Sequence, residues 1–408
     1  MHDARIRARA RELPRAFLDE LTRAGGDDAS AQAAVAGLVV LRVVDRWVAG
    51  GCPEGFDVVG AMAAVSAVDA GQPVKALLAQ VLEAVAGGGP GAAATTTDRL
   101  LQYGRALELD AKWSLALAVY DSVVSHAGVG SSDQAVILAY LRQGYCLRCL
   151  GDFAQSRARY GKAHRLSRMT DHRAGELRAE LGWAQNDAAE GDPDAADAVF
   201  RRIVRSAKKA GLAQVQSLAL HERAVIAGNA GDPMAAVRFL YSALHLCDLT
   251  PERDRILDDI GESLRRLGFR DAARDAFLVL SCTARDQFNR WMALIHLMRV
   301  AGDEGVAGAY RDYRRILEAE PLPVRLRIEL ELQSGYALRS LGATTPSRKA
   351  FGRAVVLART YGHTRELVEA ERARAGASDC VEPTPAAAAQ LAEIAATLRN
   401  LRESAVGT

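Results

Sequence analysis

The chain has 408 residues, of which 49% are hydrophobic and 25% charged, and its formal net charge is +2. This composition is that of an ordinary folded protein and excludes a disordered or collagen-like chain. A net charge so close to zero gives no general reason to expect nucleic acid or a membrane surface as a partner.

The N-terminal part, residues 1–56, contains two helical patterns, at about 4–23 and 29–48. We interpret it as a helical cap or a degenerate repeat, because the terminal unit of a repeat array needs a more polar outer face. The sequence lacks the apolar core of a signal peptide, and its most apolar stretch, 35–44, contains Arg42 and is too short to span a bilayer. We therefore expect a cytoplasmic protein with no membrane contact.

Residues 57–373 contain a self-similar pattern, which is the sequence signature of a repeat architecture. Turn glycines at Gly151, Gly191 and Gly231 lie 40 residues apart, and further copies follow Gly268 and Gly342. A glycine ends a helix at low cost because it readily adopts a left-handed conformation, and an Asp after it can cap the next helix. Each glycine is followed by a small residue at the fifth position and a large one at the ninth. The pattern predicts antiparallel helix pairs stacked in chain order.

A degraded copy of the pattern lies near Gly302 and Asp303. We expect it to place Ala309, Tyr313 and Ile316 at the packing positions, after a turn that is longer by a residue or two.

The best-preserved copy resembles the tetratricopeptide repeat. The matching residues are Gly144, Leu147, Gly151, Phe153, Tyr160 and Ala163, with Ser156 in place of the usual alanine. The resemblance covers roughly residues 57–365 and implies an all-α fold, a right-handed α-solenoid of stacked antiparallel helix pairs. The period of 40 departs from the 34 residues of the plain repeat. We therefore expect longer helices or longer loops between units, with candidate loops at 87–97 and 128–132.

The resemblance also implies that the first helices of the pairs line a concave groove that binds a partner. Transferring the groove positions gives a row of aromatic, amide and charged residues: Tyr145, Arg148, Gln185, His221, Asn229, Asp258, Glu262, Arg265, His296, Arg299, Tyr336 and Arg339. Tyr and Arg are enriched at binding hot spots, although any single member could belong to an ordinary hydrated surface. We predict a scaffold or adaptor that binds a protein or peptide. The alternative is a regulatory protein that senses a peptide or ligand and acts on a separate effector.

Two adjacent second helices carry basic residues at equivalent positions: Lys162, Arg165, Arg168, Arg202, Arg205 and Lys208. Clustered cations can bind phosphates, but no aromatic stacking platform is interleaved with them. A solvated outer face is the favoured interpretation, and nucleic acid is disfavoured as a partner.

Cys146 and Cys149 form the one sequence pair that suggests metal or redox chemistry. A zinc site needs two further ligands, and the nearby His164 and His172 are separated by a predicted helix end. We predict that both cysteines pack in the core. The sequence shows no phosphate loop and no nucleophile or zinc-protease motif, so we expect no catalytic residue, no metal and no cofactor.

The C-terminal part is interpreted as a linker, 374–386, followed by a helix and tail, 387–408. Leu391, Ile394, Leu398 and Leu401 make this helix amphipathic. It would either cap the array or occupy the groove, and the cap is favoured.

Overall fold

The computed structural model describes residues 14–24, 29–50, 55–69, 72–89, 91–110, 112–126, 132–248, 250–284, 287–320, 322–376 and 385–406. Every regular element within these ranges is an α-helix. None of the described helices combines the length and the apolar character that a membrane crossing requires.

The chain divides into two compact units, Met1–Asp192 and Pro193–Thr408. Unit 1 contains α1 (Arg15–Ala24), α2 (Ala29–Val48), α3 (Gly55–Ala67), α4 (Pro73–Gly87), α5 (Ala92–Leu109), α6 (Trp113–Ser125), α7 (Asp133–Cys149), α8 (Phe153–Met169) and α9 (Arg173–Ala189). Unit 2 contains α10 (Pro193–Lys209), α11 (Ala213–Asn229), α12 (Pro233–Leu244), α13 (Thr250–Arg266), α14 (Arg270–Thr283), α15 (Gln287–Asp303), α16 (Ala307–Glu318), α17 (Val324–Ser340), α18 (Thr344–Thr360), α19 (Thr364–Arg374) and α20 (Pro385–Val406).

Most consecutive helices within each unit pack against each other in chain order. The first helices of neighbouring pairs also touch, as α7 and α9 do in unit 1 and α13, α15 and α17 do in unit 2. These contacts confirm the predicted all-α helical repeat.

The 40-residue period comes from long helices. Each helix from α7 to α11 has 17 residues, and the turns between them have three. Gly151, Gly191 and Gly231 each have the predicted left-handed φ, and the side chain of Asp152 accepts a hydrogen bond from the backbone of Gln155 as a helix cap. The predicted loop at 87–97 is wrong at its end, because α5 already begins at Ala92. Most of the predicted loop at 128–132 lies outside the described residues.

The large residue of the repeat packs against helical glycines. Tyr160, on α8, lies against Gly144 of α7 and Gly182 of α9, and a Cβ added to Gly144 would come within 2.7 Å of the tyrosine ring. Ser156 also joins the two helices of its pair, because its hydroxyl donates to the carbonyl of Gly144 at 2.7 Å. A bulky ring therefore needs a glycine opposite it, which explains why the two residue types recur together.

The degraded copy has a different register from the predicted one. The turn glycine is Gly305, with a φ of 76°, and α16 starts two residues later. Leu317 is therefore fully buried, whereas the predicted Ile316 is 47% exposed. The prediction was wrong by one residue because Gly302 is inside α15, where it packs closely against Ala337.

The C-terminal helix α20 lies on the second helices of unit 2. Leu391, Ile394 and Leu398 are buried, and α20 packs against α14. Arg402 pairs with the buried Asp275 of α14 at 2.8 Å, and the hydroxyl of Tyr241, on α12, lies 3.0 Å from that of Thr397. Both alternatives from the sequence are therefore wrong: α20 neither caps the last pair nor lies on the first helices.

Candidate functional site

Three of the predicted groove residues meet in unit 1. The guanidinium of Arg148 donates to Gln185 of α9 at 3.2 Å and lies 5.3 Å from the ring centre of Tyr145. Tyr145 in turn packs edge-on against Trp113. All three groove residues are partly exposed, so they form a small polar and aromatic surface shared by α7 and α9.

Sequence reasoning missed a buried carboxylate beneath this surface. Glu108 is almost completely buried, and it accepts a hydrogen bond from Tyr120 at 2.8 Å and pairs with Arg105 and Arg142.

Burial, followed by the charge of Glu108, raises the pKa of the Cys146 thiol. Cys146 is therefore an inert core residue, as predicted, but Cys149 is exposed and the prediction of core packing was wrong for it.

The remaining groove residues lie in unit 2, where the first helices carry a longer polar row. At its start, His221 of α11 lies 2.5 Å from a carboxylate oxygen of Asp259 on α13. His221 is buried, whereas Asn229, at the end of α11, is exposed.

A buried arginine is at the centre of this row. Arg265 binds Glu262 through two nitrogens, at 2.7 and 2.8 Å, and a third nitrogen lies 3.3 Å from Asp303 of α15. Asp303 also accepts from Arg299 at 3.0 Å. Although burial alone would raise the pKa of Glu262, the charges of Arg265 and Arg266 hold it well below its usual range. Arg265 is 0% exposed, so it can position its neighbours but cannot reach a partner without moving.

The row ends on aromatic side chains. The guanidinium of Arg299 lies 4.5 Å from the ring centre of Tyr336, on α17, and that of Arg339 lies 5.2 Å from the same ring. Arg339 also donates to the carbonyl of Ala373 on α19, at 2.9 Å. Charged and aromatic contacts thus connect the first helices α13, α15, α17 and α19.

His296 lies between two carboxylates at distances too long for hydrogen bonds. Its Nε2 is 3.7 Å from Asp258 Oδ1 and its Nδ1 is 3.8 Å from Glu262 Oε2, while the ring stacks on Phe277. Burial lowers the pKa of His296 to about 4. The imidazole is therefore neutral at pH 7 and can offer a nitrogen lone pair.

Two carboxylates of this region, Asp258 and Glu329, have raised pKa values. Burial raises the pKa of Asp258 well above its usual value, and the charges of Asp259 and Glu262 add to the effect. Glu329, on α17, has its pKa raised to about 7 by burial and by the nearby Glu369 and Glu366. Each carboxylate of the group thus makes ionisation of another more difficult.

Several buried polar atoms at this place have no hydrogen-bond partner. Within the described part of the chain, no hydrogen bond reaches Asp258 Oδ1, His296 Nδ1 or Gln333 Oε1, although all three atoms are buried. The amide nitrogen of Gln333 donates to Glu329 at 2.7 Å, which leaves the amide oxygen beside the carboxylates. Buried acceptors without donors are costly. We call Asp258, Glu262, His296, Glu329 and Gln333 the acceptor cluster. Asp258, Glu262 and Glu329 are partly exposed, so a small movement of their side chains would let the cluster bind a group that brings N–H donors and positive charge.

The basic residues on the second helices are separate from this cluster. Lys162, Arg165 and Arg168 lie on α8 in unit 1, whereas Arg202, Arg205 and Lys208 lie on α10 in unit 2, and all six are exposed. Each set is a solvated helix face, which is the interpretation that the sequence favoured.

No protein-family model matches the sequence, and no curated protein matches it significantly.

Proposed function

We propose that the chain is a protein- or peptide-binding scaffold whose first helices in unit 2 bind a segment that carries lysine or arginine. The observation that supports this most directly is the surplus of buried acceptors in the acceptor cluster. An ammonium group offers three donors and a guanidinium five, and neither accepts a hydrogen bond. A basic side chain would therefore satisfy Asp258 and Gln333 and neutralise the charge that raises the pKa of Glu329.

The tetratricopeptide resemblance supports the same surface, because in that family the first helices bind the partner. It also suggests the kind of ligand, an extended or helical segment held by modest contacts over several repeats. In our proposal the buried Arg265, Arg299 and Asp303 keep the first helices in register. The accessible Asp259, Asn229 and Arg339 contact the ligand around the acceptor cluster.

Peptide binding tests the proposal. Two short fluorescent peptides, one alternating lysine with alanine and one alternating glutamate with alanine, would be titrated with the full chain and followed by anisotropy. We expect the lysine peptide to bind and the glutamate peptide not to bind. The double variant Asp258→Asn, Glu329→Gln should weaken binding of the lysine peptide at least tenfold, because each lost charge-assisted hydrogen bond contributes about 1.5–3 kcal/mol.

A matched variant controls for net charge. Asp271→Asn with Glu318→Gln removes the same two charges from second helices, where the side chains are 86% and 57% exposed, and should leave the affinity unchanged. Equal loss in both double variants, or equal binding of the two peptides, would contradict a specific site and leave only a general attraction between charges.

The affinity should also depend on pH. Because the pKa of Glu329 is about 7, this carboxyl is largely protonated at pH 6 and largely ionised at pH 8. A bound cation favours the ionised form, so binding should strengthen by up to about tenfold over this interval. The Glu329→Gln variant should lose that part of the pH dependence.

A further inference from the structure

A second cluster of possible ligand atoms lies in unit 1, between α8 and α9. His164 is on α8, and Glu176 and Glu180 are one helical turn apart on α9. The Nε2 atom of His164 is 3.7 Å from Glu176 Oε1 and 3.9 Å from Glu180 Oε1. One ligand atom from each residue lies within 4.8 Å of the other two.

The two distances from His164 are close to the distances between ligand atoms around a bound metal ion. Ligand atoms bound at about 2.1 Å to a tetrahedral zinc ion lie about 3.4 Å from each other. Small rotations of the side chains would therefore bring all three atoms within bonding distance of one ion. One imidazole nitrogen and two carboxylate oxygens are a donor set that suits Zn²⁺ and similar divalent transition-metal ions. The side chains are 19%, 19% and 14% exposed, so water can reach the remaining coordination position.

Neighbouring residues hold the ligands in orientation. Arg173 pairs with Oε2 of Glu176, which leaves Oε1 directed at His164. The ring of His164 lies 5.1 Å from that of Trp183, and Trp183 is itself held because its indole nitrogen donates to the carbonyl of Arg157 at 3.1 Å. Partners of this kind orient ligands in established metal sites.

We propose that His164, Glu176 and Glu180 form a binding site for a divalent transition-metal ion, with Zn²⁺ as the representative case. The ion would join α8 to α9 by coordination bonds. This site is in unit 1 and is independent of the acceptor cluster, so either proposal can fail without the other.

Calorimetric titration of the full chain with Zn²⁺ tests the site. We expect one saturable site that is weakened at least tenfold by His164→Ala and by Glu180→Gln, the latter nearly identical in shape to the native residue. The exposed His245→Ala should bind as the wild type does, and so should Cys149→Ser, which removes an exposed thiol. Circular dichroism would establish that each variant is folded.

Zn²⁺ should also raise the melting temperature of the wild type but not of Glu180→Gln. Saturable binding that persists in both ligand variants, or no saturable binding by the wild type, would overturn the proposal and leave His164 as the partner of two carboxylates in an ordinary ion pair.

Discussion

At the scale of single residues, packing depends on glycines that face large rings. Tyr160 contacts both Gly144 and Gly182, Tyr120 lies against Gly104, and Phe277 lies against Gly261. A methyl group at such a glycine would overlap the ring, and a densely packed interior has little free space to absorb it. Glycine at these positions thus makes close approach of two helices possible, in spite of its poor helix propensity.

Two glycine substitutions in unit 1 should therefore have opposite effects. Gly144→Ala places its methyl group 2.7 Å from Tyr160 and should lower the free energy of unfolding by about 1–3 kcal/mol through overpacking. Gly161→Ala is also within a helix, but its methyl group would meet atoms only at 3.6 Å or more. It should stabilise by up to about 1 kcal/mol through helix propensity.

Thermal melts followed by circular dichroism would measure both changes. If Gly144→Ala were as stable as Gly161→Ala, the close approach of Tyr160 would have no energetic consequence.

At the scale of elements, the C-terminal helix shows how a local pattern can leave its partner undetermined. The spacing of Leu391, Ile394 and Leu398 predicts an apolar stripe, and these residues are indeed buried. The same stripe would suit any apolar surface of suitable length. Its actual position on the second helices is also supported by the pair between Arg402 and Asp275, which joins residues 127 positions apart.

Shortening the leucine side chains of this stripe should detach α20 from α14. Leu391→Ala and Leu398→Ala each remove a fully buried side chain, and such changes typically cost about 2–5 kcal/mol. The double variant should show amide exchange at least tenfold faster in Pro385–Val406. Asn400→Ala changes an exposed residue of the same helix and should leave exchange as in the wild type. Unchanged exchange in the leucine variant would mean that other contacts hold the helix.

At the scale of the whole molecule, charged side chains of the same sign are grouped locally. The near-neutral total of +2 conceals a group of carboxylates on the first helices of unit 2 and exposed basic residues on α8 and α10. The carboxylates and His296 also make stability depend on pH. Their effects can be separated because the pKa of His296 is lowered whereas that of Glu329 is raised.

His296 should make unit 2 less stable in mild acid. Its pKa falls from 6.5 in the unfolded chain to about 4 in the folded one, so the folded state binds fewer protons between these values. Its stabilising contribution is complete above pH 6.5 and is lost as the pH falls toward 4, by about 2 kcal/mol between pH 7 and pH 5.

Denaturant unfolding at both pH values, compared between the wild type and His296→Gln, would isolate this contribution. The variant should lose less stability on acidification. Equal losses would show that His296 is protonated as easily in the folded chain as in the unfolded one.

The sequence by itself determined the repeat. Helix ends depend on neighbouring residues, so turn glycines at 40-residue spacing predict where helices stop, and the residues at the fifth and ninth positions predict which face is buried. These signals are local and recur, which is why the stacked helix pairs could be predicted, whereas the copy at Gly305, with its altered register, was misplaced. The sequence also identified residues on the first helices, because equivalent positions share a face.

Only the tertiary structure decided which of these residues are accessible and what surrounds them. Arg265 is buried and Asp259 accessible, and the raised pKa of Glu329 depends on carboxylates contributed by another helix. His164 and Glu180 belong to different helices, so no spacing rule brings them together. Charge interactions and ligand geometry depend on distances between side chains that are remote in the sequence, and those distances exist only after the helices have packed.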